Sequence, residues 1–173
     1  MMPDVMRHLR NWKKTQRAGE SGQALVEMSI AIPLLFVLLL GAAEFARFAY
    51  AAIEVSNAAN AAVDYAGSSP TAAADWSLSG STYSGGIVTA ATADAANLSG
   101  MTVTSISSTC SCANSSYTPT SCTDNSTCTT NSTSMIQAIT VKTQATYDPL
   151  IYVPGGPKTI TLYGQATRTV SNQ

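Results

Sequence analysis

Two groups of residues in this 173-residue chain are equipped for chemistry. The first is Gly22, Gln23 and Glu27, where a basic segment meets an apolar run. The second is Cys110, Cys112, Cys122 and Cys128, close together in a Ser/Thr-rich stretch. An even number of clustered cysteines favours disulfides in an exported domain. Zinc is the weaker reading, because C-x-C-x9-C-x5-C lacks paired CxxC knuckles and no histidine is nearby. Cys110 and Cys112 are too close for an easy mutual bond, so each is expected to pair with Cys122 or Cys128.

Glu27 has a different chemistry. It stands at the lip of Met28–Ala43, a run without a single charged side chain. A carboxylate costs about 2.5–3.5 kcal/mol near the centre of a membrane helix and less at its edge, so it seeks a cation. A blander role is open to it: an acid in a first helical turn is favoured by the helix dipole. Catalysis finds no equipment. His8, in the basic leader, is the only histidine, so no Ser/His/Asp or Cys/His arrangement can form beyond it. No glycine-rich phosphate loop occurs. No catalytic, cofactor-binding or metal-ligating residue is expected.

The elements that position these residues emerge from charge and periodicity. Residues 1–22 carry Arg7, Arg10, Lys13, Lys14 and Arg17 against Asp4 and Glu20, and the rest of the chain carries four basic against eight acidic side chains. Such a bias holds the leader in the cytoplasm and exports the chain beyond Ala43. A basic run beside an apolar helix signals topology more often than nucleic-acid binding, so no nucleic acid is expected. The leader is not a secretory signal peptide, since the small residue precedes the apolar run and no A-x-A site comes after it. Met28–Ala43 reaches about 24 Å as a helix, short of a bilayer core of about 30 Å; tilt or the neutral residues Gln23–Val26 close the gap. Pro33 should kink or loosen this helix.

The helix is expected to continue amphipathically to about Ala66, with Phe45, Phe48, Ala52, Val55, Ala59, Ala62 and Tyr65 on one face. Glu44 and Arg47 stand at pairing distance in sequence. Gly67-Ser68-Ser69-Pro70 stops it. Residues 67–86 read as a linker with Trp76 as an anchor, 87–98 as a short helix, and 101–107 as a strand. Residues 108–134 read as a polar loop that needs staples. Strands come next at 136–147 and 159–170, separated by a turn at 153–157. In the first of these, Ile139, Val141, Thr143, Ala145 and Tyr147 share a face; in the second, Ile160, Leu162 and Ala166 do. The fold expected is α+β: a long N-terminal transmembrane helix and then a small exported antiparallel sheet. Its parts are a leader over 1–22, a helix over 23–66 with membrane part about 24–43, and a β domain over 67–173. Four N-x-S/T triplets, at Asn97, Asn114, Asn125 and Asn131, are what such composition produces by chance.

Gly22 followed by QALVEM, an apolar run containing Pro33, and GAAEFARFAYAAIEVSNAANAAVDYAG resembles TadE-like proteins, the minor pilins or pseudopilins of the Tad (Flp, type IVc) pilus machinery. The resemblance covers residues 17 to 67. It implies cleavage by a prepilin peptidase between Gly22 and Gln23, which makes Glu27 the fifth mature residue. Met28 departs from the major Flp pilins, which carry an aromatic there and are much shorter. The partners implied are the peptidase, other pilin or pseudopilin subunits, the Tad inner-membrane platform and membrane lipid, with homo- or hetero-oligomers formed through the helix. The location implied is the inner membrane, or an extracellular filament once assembled. After such a cut Gln23 bears an α-amine that is mostly protonated at neutral pH, and a neighbour's Glu27 is its natural counter-ion. That pair sets axial register as a buried polar residue does in a coiled coil. The alternative is a single-pass anchored binding or adhesive domain that never polymerises; an enzyme comes third.

Overall fold

The computed structural model describes residues 4–113, 128, 135–151 and 155–172, with side chains described from Gly22 to Val170. Cys122 and the triplets at Asn114, Asn125 and Asn131 lie outside these residues. The chain divides into two compact units, Met1–Phe45 and Ala46–Gln173.

Helix α1 spans Asp4–Ala66, with Pro33 inside it. It therefore starts well before the expected Gln23. Arg7, Arg10, Lys13, Lys14 and Arg17 are good helix formers, and no proline follows Pro3 in the leader to break the helix. Nor does Pro33 end it. The C-terminal stop falls where Gly67 and Pro70 place it, and the Gly67 amide bonds the Val63 carbonyl at 2.8 Å. Within the first unit the stretch from Gly22 is exposed almost throughout, with Leu25, Leu35, Val37 and Leu39 all open.

The second unit begins inside α1 and builds the β domain on its last five turns. After Gly67 come α2 (Pro70–Ala73), a hairpin of β1 (Ser77–Ser79) and β2 (Thr82–Ser84), and α3 (Gly86–Asp94). So the supposed linker is structured. Ser69 caps α2 by accepting the Ala72 amide at 3.1 Å. Gly80 turns the hairpin at φ 63°, a conformation open to glycine. Trp76 packs on Tyr83 with ring centroids 6.1 Å apart, and Tyr65 of α1 donates to Asp75 at 2.7 Å. That carboxylate raises the Tyr65 pKa above the usual phenol value.

The main sheet has the order β3-β4-β5, all antiparallel, from β3 (Thr102–Cys112), β4 (Met135–Tyr147) and β5 (Ile160–Asn172). A bulge between Val103 and Ser105 interrupts the β3–β4 register. β4 alternates as its sequence demands, with Ile139, Val141, Thr143, Ala145 and Tyr147 buried. β3 runs five residues past its expected end, because the Ser/Thr/Cys alternation up to Cys112 sustains a strand that looked like loop. Cys110 and Cys112 are thus held on a strand.

The core lies between this sheet and α1. Ala58, Ala59, Ala62 and Ala66 meet Ile139, Val141, Ala166 and Val170, while Ala51 and Val55 meet Ala145, Tyr147 and Leu162. The helical face differs from the expected one at its ends. Phe45 stays exposed, and Tyr65 turns outward to its Asp75 bond while Val63 and Ala66 are buried. The close seat explains the alanines. Thr143 donates its hydroxyl to the Val55 carbonyl at 2.8 Å, a bond from sheet side chain to helix backbone. A Cβ on Gly164 would stand 2.3 Å from that same carbonyl oxygen. The helix backbone rests almost on the strand, where only small side chains fit.

Candidate assembly interface

The Gly22 group lies on one exposed stretch of helix. Gly22 is helical, exposed, and has no neighbour within 4 Å of where a Cβ would lie. Glycine weakens a helix by about 0.5–1 kcal/mol relative to alanine, which loosens the backbone at this turn. Gln23 and Glu27 share a side of the helix with each other, one turn apart, and the Gln23 amide donates to the Glu27 carboxylate at 3.3 Å. So Glu27 is not buried in the isolated chain; it lies open beside the residue that a cut after Gly22 would make the N-terminus. The helix beyond it is long and apolar enough to cross a membrane, with a mean hydropathy of 2.3 in its most apolar window and no burial there.

The cysteine group lies elsewhere. Cys112 is bonded to Cys128, with Cα atoms 5.5 Å apart across a separation of 16 residues. Cys110 is also disulfide-bonded. Cys110, Cys112, Cys128 and Met135 form a small buried cluster at one end of the sheet. These are structural bonds on the inner face of the sheet. Among the described residues, no three His, Cys, Asp or Glu side chains converge as metal ligands.

A third feature was not picked out from the sequence. At the opposite end of the sheet, Tyr147 receives the edge of Phe48 at 5.5 Å and 83°, and the Arg47 guanidinium lies 5.7 Å from its ring centre. Phe48 belongs to the expected helical face and Tyr147 to the expected strand face, so the two patterns together carried a signal. Arg47, read only as a possible partner of Glu44, packs on the aromatic ring.

Residues 22–64, about a quarter of the chain, match the family model described as TadE-like protein. The match starts at the proposed cut and ends in the last turn of α1. Neither a curated protein nor a solved structure matches the chain.

Proposed function

We propose, from a chain that is TadE-like over residues 22–64, that the protein is a pilin-like structural subunit of a Tad-type pilus. In this reading it is held in the inner membrane by the apolar half of α1, with the sheet domain exported. A prepilin peptidase cuts it between Gly22 and Gln23. It then packs by that helix among other pilin or pseudopilin subunits on the Tad platform, without catalytic work of its own.

The observation that carries this reading is the coincidence at one point of four things. The family match begins at Gly22; the helix there is exposed and apolar beyond it; Gly22 is sterically open; and Glu27 lies one turn from Gln23. A plain anchor requires the apolar run but not the acid at its lip. Once the α-amine of Gln23 exists, Glu27 of a neighbouring subunit neutralises it in a setting of low dielectric. There the attraction between the charges is stronger than at a surface, and leaving either one unpaired costs more than losing a surface pair of about 0–1 kcal/mol.

Intact-mass measurement of the membrane-extracted protein tests the cut. A mature chain starting at Gln23 is expected in cells that have the peptidase, and a bulky residue at Gly22 should leave the leader in place. An uncut wild-type chain there supports the anchored adhesive domain instead. For Glu27, the expected outcome is that Glu27→Gln leaves cleavage and protein level normal but abolishes recovery of partner subunits from crosslinked cells. Equal recovery would leave Glu27 only its helix-dipole role, worth about 0.3–1 kcal/mol.

A further inference from the structure

The end of the sheet domain that carries Tyr147 has a surface which the assembly role does not use. An open groove of about 630 Å³ lies there, lined by Arg47, Tyr50, Leu98, Tyr147, Leu150 and Leu162 among others. Beside it Leu150 is 75% exposed, and Ile151 and Tyr50 are also open. Leu150 and Ile151 stand in the segment after β4, where no strand or helix obliges them to face water. The other end of the sheet, by contrast, buries its Cys and Met side chains.

Position along the chain identifies what this surface meets. α1 is continuous through Ala43, the last residue of the uncharged run, and Arg47 comes four residues later, about one turn. Tyr50 stands about two turns beyond Ala43. Aromatic side chains with polar tips, and a long cation whose stem is apolar, are the residues that suit the headgroup layer of a bilayer. A layer of lipid phosphates also complements Arg47, and its upper acyl chains accept Leu150 and Ile151.

We infer that this end of the domain rests on the phospholipid headgroup layer before assembly, with Leu150 and Ile151 inserted and Arg47 and Tyr50 at the phosphate level. The inference rests on the membrane reading of the apolar half of α1. The contact continues the membrane surface of the helix onto the sheet domain, and so fixes how the exported domain stands while the subunit waits.

The test uses the full chain in nanodiscs of phosphatidylethanolamine and phosphatidylglycerol, with and without lipids brominated near the headgroup. Single tryptophan reporters are placed in a Trp12→Phe, Trp76→Phe background. Leu150→Trp should emit to the blue and lose fluorescence in brominated discs. Leu78→Trp, in the β1–β2 hairpin and also exposed, should do neither. Leu35→Trp, in the apolar run and read with bromine deeper in the acyl chain, reports insertion itself. Quenching at Leu35 and Leu150 but not Leu78 supports the contact. Quenching at Leu35 alone overturns it and leaves the membrane reading standing. Equal quenching at Leu150 and Leu78 overturns it as well, since the whole domain would then lie on the lipid. No quenching at Leu35 overturns both. A urea-unfolding midpoint close to that of the unsubstituted chain checks that each variant is folded.

Discussion

From Gly22 to Ala43, α1 carries Leu, Ile, Val and Phe on all sides and leaves them exposed; from Ala51 to Ala66 it carries mostly alanine and buries a complete stripe. The same backbone is thus matched to two surroundings. The first half offers area. Each large side chain gains about 1.5–3 kcal/mol on leaving water, and a bilayer accepts it without shape requirements. The second half offers proximity. Ala58, Ala59 and Ala62 gain little by area, but they bring the helix backbone so near the sheet that Thr143 bonds the Val55 carbonyl and Gly164 must lack a side chain. Hydropathy alone ranks the halves as strong and weak. Geometry separates them further: the first is exposed and apolar enough to cross a membrane, and the second is fitted to the sheet.

The sharpest way to break this comparison is to put a charge in each half. Leu38→Arg places a cation in the apolar run and costs about 2.5–3.5 kcal/mol of insertion, with the sheet domain intact. Val55→Asp, at a site with no exposure, buries an unpaired carboxylate and should unfold the sheet domain while the chain remains in the membrane. Membrane fractionation together with protease resistance of the sheet domain reads both. If Leu38→Arg also made the domain protease-sensitive, the halves would not be separable. Next in size is the disulfide. Cys112→Ser removes a cross-link over 16 residues and should cost about 3 kcal/mol in the chain-entropy model, seen as a lowered midpoint in urea.

Gly164→Ala tests the close seat directly. One methyl group against the Val55 carbonyl and the Thr143 hydroxyl forces the helix away from β5 and should cost about 1–3 kcal/mol. The same methyl at Gly22 or Gly41, where nothing lies within 4 Å, should leave domain stability unchanged. Urea midpoints of the three variants measure the contrast.

Periodicity made part of this legible. Val55, Ala59 and Ala62 repeat at helical spacing, Ile139 to Tyr147 alternate, and the Gly67–Pro70 stop is explicit, so α1 against an antiparallel sheet could be read directly. The hairpin could not. Its strands are three residues each, mostly Ser and Thr, and only the partnership of Trp76 with Tyr83 and the turn at Gly80 reveals them. The reach of β3 to Cys112 was hidden for a related reason, since Ser and Thr serve strand and loop alike. At the candidate assembly site, Gly22, Gln23 and Glu27 stand out in the sequence because a lone acid beside an apolar run is conspicuous. The Arg47–Tyr147 contact does not, because its two residues are 100 positions apart and only the folded register joins them.

The smallest expected effect comes from a buried polar contact that ties the alanine half to the sheet. Thr143 is fully buried, and its hydroxyl donates to Val55 at 2.8 Å. As a helical carbonyl, that acceptor is also the partner of the amide four residues on. Thr143→Val therefore removes a donor without orphaning the acceptor, and it replaces a hydroxyl by a methyl of similar size in an apolar setting. The loss is one net hydrogen bond, about 0.5–1.5 kcal/mol, offset in part by the added apolar burial. Thr143→Ser keeps the bond but loses the methyl and leaves a small void. If the hydrogen bond seats the helix, the urea midpoint of Thr143→Val should fall at least as far as that of Thr143→Ser. If apolar packing alone seats it, Thr143→Val should match or exceed wild type and Thr143→Ser should be the weaker protein. The second order would assign the fit of the alanine half to shape and give the carbonyl contact no part in it.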